Sequence, residues 1–231
     1  STPGLIVLLN MMEKNIYYHG SSVIFDSFNL DSLAESSGCK FGAGIYLTEA
    51  FDTAAHYSEP RNGTADHHYV YTVEVPDKTE ENCLPYYGVP IPSIIISRVE
   101  ERLGEVLPDY IKGSGRVADA EGKDKGVSLG KFLRKYIAHR LSGVPKEKLD
   151  TDKKVGKKTK LAAEIKASEF LLSLGVLFIE WPQGTWGQYP NCIKNIAVLD
   201  PSKIKVVKVE EVDLDKDAKY VDGSRRPVTA E

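Results

Sequence analysis

His19 lies where a β-strand is expected to end, at a position from which its side chain could contact a ligand. His19 is one of only five histidines in the chain. It follows the β-forming run 16–18, and residues 20–22 after it have the Gly-Ser-Ser composition of a turn. An imidazole in this position can hydrogen-bond a ligand, although an isolated His-Gly pair is more often a surface residue or a satisfied core histidine. The residues downstream must decide between these interpretations.

A second cluster, residues 38–57, contains glycines and tyrosines that suit a flat ligand. Gly42 and Gly44 permit a close backbone approach. They do not form a dinucleotide-binding GxGxxG, because no third glycine follows, and the chain has no Gly-Lys-Ser/Thr phosphate loop. Tyr46 and Tyr57 could flank a cationic ring, with stacking worth about 0.5–1.5 kcal/mol and cation–π attraction about 1 kcal/mol. Taken alone, two such tyrosines are more often core residues.

The order and spacing of these motifs resemble the ADP-ribosyltransferase family. The His-Gly-Ser at 19–21, the Gly-Ile-Tyr at 44–46 and a helix that ends at Tyr57 are similar to its diphtheria-toxin-like branch, which is shared with the poly(ADP-ribose) polymerases. Near the other end, "SEFLLSLGVLFIEW" and "NIAVLDPSKIKVV" look like the closing segments of bacterial and phage polyvalent-type members. The resemblance covers 16–75 and 162–207, which is roughly half of the chain.

The resemblance implies how these residues would hold NAD. His19 would hydrogen-bond the adenine-side ribose, and the Gly20 backbone would pair with the nicotinamide carboxamide. Tyr46 and Tyr57 would enclose the nicotinamide ring between them. The implied NAD-binding positions are His19, Gly20, Ser21, Gly44, Tyr46, Ala54 and Tyr57, and the implied catalytic residues are His19, Tyr46 and Asn195.

The sequence departs from the family pattern at two of these positions. Ala54 stands where a serine commonly reaches the carboxamide, so one hydrogen bond of about 1 kcal/mol is missing or comes from Thr53. Asn195 stands where many relatives have the catalytic glutamate. Gln188 and Glu180 are the other candidates for that role, Glu180 from a neighbouring strand. An amide offers less charge stabilisation to a sugar cation than a carboxylate, which favours single transfer over chain elongation, or an inactive site.

The implied function is a mono-ADP-ribosyltransferase of toxin or defence type, with NAD as the ADP-ribose donor and no metal expected. Cleavage of NAD releases neutral nicotinamide and an oxocarbenium-like ribose, which the enzyme must stabilise as it forms. Two alternatives stay open: an NAD glycohydrolase, in which water takes the sugar, and a non-catalytic protein that binds NAD or ADP-ribose.

The acceptor is unresolved between a protein side chain and a nucleic acid. Residues 146–160 contain seven lysines against three acidic residues, and we expect Trp181, Trp186 and Tyr189 to be exposed aromatics that could stack on bases. A solvated basic loop is the more common explanation of such a lysine run.

Composition excludes several broad classes. The 231 residues carry a formal net charge of −3, which gives no overall bias toward nucleic acid or membranes. No apolar run approaches the roughly 18–20 residues of a membrane span, and the first residues lack a basic leader, so we expect a soluble protein without a signal peptide. Three widely spaced cysteines without a CxxC pair favour a reducing compartment, so we expect a cytoplasmic location. A function of toxin type would allow delivery into the cytoplasm of a target cell.

The elements that must position these residues read as α+β. Short β-forming runs predict strands at 16–20, 44–48, 67–75, 92–97, 176–181 and 195–212, and the run 67–75 alternates apolar and polar residues. Helical spacing predicts helices at 49–59, 128–143 and 162–175. The resemblance implies the split β-sheet of the ADP-ribosyltransferase fold. We predict one catalytic domain over 1–212, a helical insertion at about 98–160, and an acidic, flexible tail at 213–231.

Overall fold

The computed structural model describes residues 15–31, 39–86, 89–113, 129–145, 149, 156–184 and 192–228. These residues form an α+β protein with eight strands, mostly antiparallel, and five α-helices within the described ranges. None of the described helices has the length and apolar content needed to cross a membrane. The chain divides into two compact units, and the single-domain assignment stays a prediction.

Unit 1 contains the described residues of 15–28, 46–77 and 202–228. Its elements are β1 (Ile16–Ser21), β2 (Ile45–Thr48), α1 (Phe51–Tyr57), β3 (His68–Glu74), β7 (Lys205–Val212) and β8 (Arg226–Pro227). The hydrogen-bonded strand order is β2-β1-β3-β7-β8, and every pair whose register is resolved is antiparallel.

The centre of unit 1 is β3, because both of its neighbours pair along most of its length. In register, His19 lies opposite Tyr71 of β3, and Tyr71 lies opposite Val209 of β7. Val70, Tyr71 and Val73 have no exposed surface. Alternation over 67–75 predicted one half-buried face, but consecutive residues of β3 are buried, so both faces of the strand are covered.

Unit 2 contains the described residues of 29–45 and 78–201. Its elements are β4 (Cys83–Pro85), α2 (Ser93–Leu103), α3 (Asp109–Lys112), α4 (Leu129–Ser142), α5 (Lys157–Ser173), β5 (Phe178–Pro182) and β6 (Lys194–Val198), followed by a 3₁₀ turn at Pro201–Lys203. The strand order is β4-β5-β6, with β4 parallel and β6 antiparallel to β5. Helices α4 and α5 pack on each other.

The strand predicted at 92–97 is wrong, because residues 93–97 belong to the first turns of helix α2. Three consecutive isoleucines favour a strand locally, yet burial follows the helical period: Ile95 and Val99 are buried, whereas Ile94 is exposed. Pro92 directly precedes the helix, and Gly104 ends it in the left-handed conformation at φ +69°. Tertiary burial therefore overrides the β propensity of the run.

Residues 213–228, predicted as part of a flexible tail, carry hydrogen-bonded structure. Leu214 pairs with Tyr220 across a turn. In that turn the Asp215 carboxylate accepts the backbone N–H groups of Asp217 and Lys219. Strand β8 then pairs with the end of β7. The isolated bridge and the two-residue strand β8 are too short to produce a periodic pattern of apolar residues, so the sequence did not predict them.

Candidate functional site

The His19 ring is held on β1 by a main-chain acceptor. Its Nδ1 lies 2.9 Å from the carbonyl oxygen of Tyr46 on β2. A carbonyl oxygen only accepts, so we assign the hydrogen to Nδ1, and in the neutral ring Nε2 is then the acceptor. The imidazole thus has the tautomer that receives a hydrogen bond from a ligand hydroxyl at Nε2.

Burial favours the neutral form of this imidazole. Desolvation lowers the pKa of His19 below its usual 6.5, and the hydrogen bond to Tyr46 opposes that shift more weakly. The side chain therefore serves as a fixed hydrogen-bonding group near neutral pH and carries no permanent charge there.

Aromatic rings fix the orientation of the His19 ring. The rings of Phe25 and Phe28 make edge contacts with the imidazole at 6.2 and 5.2 Å between centroids. Phe25 in turn stacks on Tyr71 at 4.3 Å, and the Tyr71 hydroxyl accepts the Phe25 backbone N–H at 2.8 Å. The sequence does not reveal these three supporting residues. The alternating pattern predicts only that Tyr71 lies in a strand, and nothing in the sequence pairs it with position 25.

Gly20 lies directly against helix α1. A Cβ at position 20 would stand 1.8 Å from the carbonyl oxygen of Ala54 and 2.7 Å from the Ser58 nitrogen. Only glycine permits this approach, since the atoms it would meet are backbone atoms. Tyr18, two residues earlier on the same face of β1, packs its ring on Phe51 of α1 at 5.3 Å. The packing of β1 on α1 therefore explains the glycine at position 20 without any ligand.

The Ser21 hydroxyl is used within its own turn. It donates to the Val23 carbonyl at 2.7 Å and accepts the Val23 N–H at 3.1 Å. These bonds end β1 and leave the oxygen one remaining lone pair. Contact of Ser21 with NAD stays a prediction.

The two tyrosines of the predicted ring clamp differ in exposure. Tyr46 on β2 is half-buried, and its carbonyl oxygen holds His19. Tyr57 is the last residue of α1 and is 66% exposed, with its ring 5.3 Å from that of His56. Tyr57 is therefore not a core residue, and its ring is accessible to a ligand. Enclosure of a ligand by both rings stays a prediction.

Two other predicted NAD-binding positions have packing roles. Gly44 is buried, and a Cβ there would stand 2.7 Å from the Val198 carbonyl oxygen of β6. Ala54 is 1% exposed and belongs to a core cluster with Phe51, Ala55 and Val212. The alanine at position 54 therefore fits a site where a larger side chain would meet the core, and ligand contact at both positions stays a prediction.

Asn195 and Glu180 lie on neighbouring strands of unit 2 but on opposite faces. Asn195 of β6 lies opposite Trp181 of β5, and Glu180 lies opposite Ile196. Directly paired residues share a face and successive residues alternate, so the two side chains point to different sides. At most one of them can serve a site on a given face.

The two side chains also differ in their partners. The Asn195 Oδ1 is buried and accepts no hydrogen bond from the described protein atoms, a situation that costs about 1–3 kcal/mol unless a ligand or water supplies a donor. The buried Glu180 carboxylate is paired with the Lys78 ammonium. Gln188, the third candidate, lies outside the described residues.

Trp181 is not the exposed aromatic that we expected. It is 7% exposed and stacks on Phe41 at 3.9 Å with parallel rings. Trp186 and Tyr189 lie outside the described residues. The exposure of Trp181 could not be read from the sequence because its partner is 140 positions away.

Within the described part of the chain, no group of three or more histidine, cysteine or acidic side chains could hold a metal ion. Comparisons with protein-family models, curated proteins and solved structures found no match for this chain.

Proposed function

We propose that this protein transfers ADP-ribose from NAD to a macromolecular acceptor. The observation that carries the proposal is the 2.9 Å hydrogen bond between His19 Nδ1 and the Tyr46 carbonyl oxygen, which leaves Nε2 as the acceptor of a neutral ring. A ribose hydroxyl needs such an acceptor at Nε2, and binding it requires no proton transfer. The resemblance of 16–75 to ADP-ribosyltransferases gives this histidine the same partner.

The arrangement of α1 supports the proposal further. The resemblance assigns the Gly20 backbone to the nicotinamide carboxamide, and the close packing of β1 on α1 separately requires glycine at this position. Tyr57 ends that helix with an exposed ring that can stack on nicotinamide. The role of Asn195 rests on the resemblance and on its unsatisfied oxygen, which suits a ribose hydroxyl as donor.

The test is incubation of the protein with adenine-labelled NAD and a cell lysate. We expect label on a macromolecule and stoichiometric release of nicotinamide, and protease and nuclease treatment of the product identifies the acceptor class. His19→Ala should abolish labelling, whereas His67→Ala, an exposed histidine of the same unit, should leave it unchanged. Absence of labelling across several lysates, with no NAD binding, would overturn the proposal.

The clamp has its own test. Tyr57→Ala should weaken NAD handling strongly, and Tyr57→Phe should be mild because stacking uses the ring rather than the hydroxyl. Equal damage by the two substitutions would exclude a stacking role.

A non-catalytic NAD-binding protein is the second candidate, and one observation favours it. Asn195 stands where the resemblance expects the glutamate, and the side chain of Glu180, the acidic candidate, points to the opposite face and pairs with Lys78. Calorimetric NAD binding without nicotinamide release identifies this candidate. Nicotinamide release at full rate without an acceptor identifies a glycohydrolase instead.

A further inference from the structure

The loop between α1 and β3 contains the only Asn-Gly pair of the chain, Asn62-Gly63. Residues 61–64 of this loop are all exposed. Asparagine is chemically labile, because the backbone nitrogen of the next residue can attack its side-chain carbonyl carbon. A glycine in the next position leaves that attack open, since it has no Cβ to stand in the way.

The structure leaves the reacting groups of this pair unhindered. Among the described residues, neither the Asn62 side chain nor the Gly63 backbone N–H has a hydrogen-bond partner. Gly63 has a φ of +118°, and a Cβ at this position would meet no heavy atom within 4 Å. No contact with the described residues therefore holds the Asn62 amide away from Gly63 or shields it from water.

Other asparagines are better protected than Asn62. Asn15 donates to the Asp77 carboxylate at 2.6 Å, and the Asn29 side chain accepts the Asp31 N–H at 3.0 Å. An isoleucine follows the first of them and a leucine the second, so a branched side chain hinders attack by the next backbone nitrogen. These two asparagines serve as controls within the same molecule.

The Glu59 carboxylate closes the loop around the Asn-Gly pair. Its Oε1 accepts the Ala65 N–H at 3.0 Å, and its Oε2 lies 3.5 Å from Nε2 of His68, the first residue of β3. Asn62 and Gly63 lie between the two ends of the hydrogen bond from Ala65 to Glu59. A change in the length of the main chain at Asn62 therefore acts directly on this bond.

We propose that Asn62 deamidates spontaneously, so that the loop gains a negative charge as the protein ages, and that the isoaspartyl product loosens the closure by Glu59. The Gly63 nitrogen loses its proton and bonds to Asn62 Cγ, while the Cγ–Nδ2 bond breaks and Nδ2 takes up the proton and leaves as ammonia. Water then opens the cyclic imide, either at Cγ to give aspartate or at the Asn62 main-chain carbonyl carbon to give isoaspartate.

The two products act differently on the loop. Both add a carboxylate, but only isoaspartate routes the main chain through the side chain and lengthens it by a carbon. Water is consumed and ammonia released, so the conversion needs no oxidant, reductant or enzyme. This inference is independent of NAD, and its test and that of ADP-ribosyl transfer can fail separately.

The experiment follows the purified chain during incubation at mildly alkaline pH, with peptide mass spectrometry and enzymatic methylation of isoaspartate as readouts. We expect conversion at Asn62 at a rate within about tenfold of that in a synthetic peptide of residues 59–66, because an open loop reacts as an unfolded chain does. The rate should rise with pH, since the Gly63 nitrogen reacts after losing its proton. A slower rate in the folded chain, or equal conversion at Asn15 and Asn29, would overturn the proposal.

Two substitutions at Asn62 are the matched controls. Asn62→Gln should stop the conversion, because its longer side chain closes a less favourable ring. An equal gain of acidic product in this variant would place the reaction elsewhere and overturn the proposal. Asn62→Asp adds the charge without lengthening the main chain, and thermal unfolding verifies that both variants are folded.

Hydrogen exchange at the Ala65 amide separates the two products. The isoaspartyl form should exchange at least roughly tenfold faster than the unmodified chain, whereas Asn62→Asp should stay within about twofold of it. Equal exchange in the isoaspartyl form and in Asn62→Asp would overturn the effect on the loop.

Discussion

His19 in unit 1 and Arg134 in unit 2 are both held by main-chain carbonyl oxygens, but one is neutral and the other charged. One hydrogen bond to Tyr46 and the surrounding aromatic rings suffice for the imidazole. The guanidinium has two carbonyl oxygens, the Tyr86 hydroxyl and the Glu164 carboxylate. A buried charge needs this full set of partners, because its desolvation costs several kcal/mol.

Two side chains held by the same kind of acceptor should therefore respond differently to substitution, because one is neutral and the other is charged. Unit 2 should respond most to loss of a charge partner around Arg134. In unit 1, packing and a hydrogen bond to a neutral ring hold His19 in place. The stability of this unit should therefore fall most when volume is added or when His19 is protonated.

The largest effect is expected when one partner of the buried ion pair is removed. Arg134→Met leaves the Glu164 carboxylate buried without its counter-charge and should lower the free energy of unfolding by about 3–5 kcal/mol. Arg134→Met/Glu164→Leu should recover most of that loss, since neither buried charge remains. Urea denaturation of the two single variants and the double variant measures the coupling.

Arg140→Met is the control for this cycle. Arg140 lies on the same helix and pairs with Glu105 at the surface, where ion pairs contribute little. Were Arg140→Met as damaging as Arg134→Met, the contrast between a buried and an exposed pair would be wrong.

A smaller effect is expected from added volume in unit 1. Gly20→Ala places a methyl group against the Ala54 carbonyl oxygen, so α1 must shift, at a cost of roughly 1–3 kcal/mol in unfolding free energy. Gly113→Ala is the matched substitution, because its Cβ would have no neighbour closer than 3.8 Å. Denaturation midpoints compare the two, and a silent Gly20→Ala would show that α1 does not press on β1.

The smallest effect is expected from protonation of His19. Its folded-state pKa lies below 6.5, so the unfolded chain takes up the proton first as the pH falls. The stability that depends on a neutral His19 is therefore fully present above pH 6.5, and it is lost as the pH falls toward the folded-state pKa. His19→Gln should flatten this part of the stability profile between about pH 5 and about pH 7.5. An unchanged profile in the variant would mean that other groups control it.

Periodic patterns predicted much of the fold. The helix predicted at 128–143 extends from Leu129 to Ser142, and the strand predicted at 67–75 extends from His68 to Glu74. In both, the pattern reports a local geometry that the whole element shares. The α+β class followed from the same patterns, while the specific ADP-ribosyltransferase fold stays a prediction.

What the sequence did not reveal depends on partners far along the chain. Arg134 interrupts an apolar helix face, and its partners at Cys39 and Glu164 are 95 and 30 residues away. The hydrogen bond between Tyr71 and Phe25 and the ring stacking of Trp181 on Phe41 also join residues that are far apart in the sequence. At 92–97, a β-branched run concealed a helix that only burial reveals.

The covering of α1 by the C-terminal segment has a consequence for how the protein is made. His56 donates to the Ala218 carbonyl oxygen at 2.8 Å, and the Arg225 guanidinium lies 3.4 Å from the Phe51 ring centre. These partners leave the ribosome about 160 residues after α1, roughly 10–30 s later at cellular rates of synthesis. During that interval the Phe51 side of α1 lacks its C-terminal cover, so apolar surface of nascent unit 1 stays exposed to other molecules.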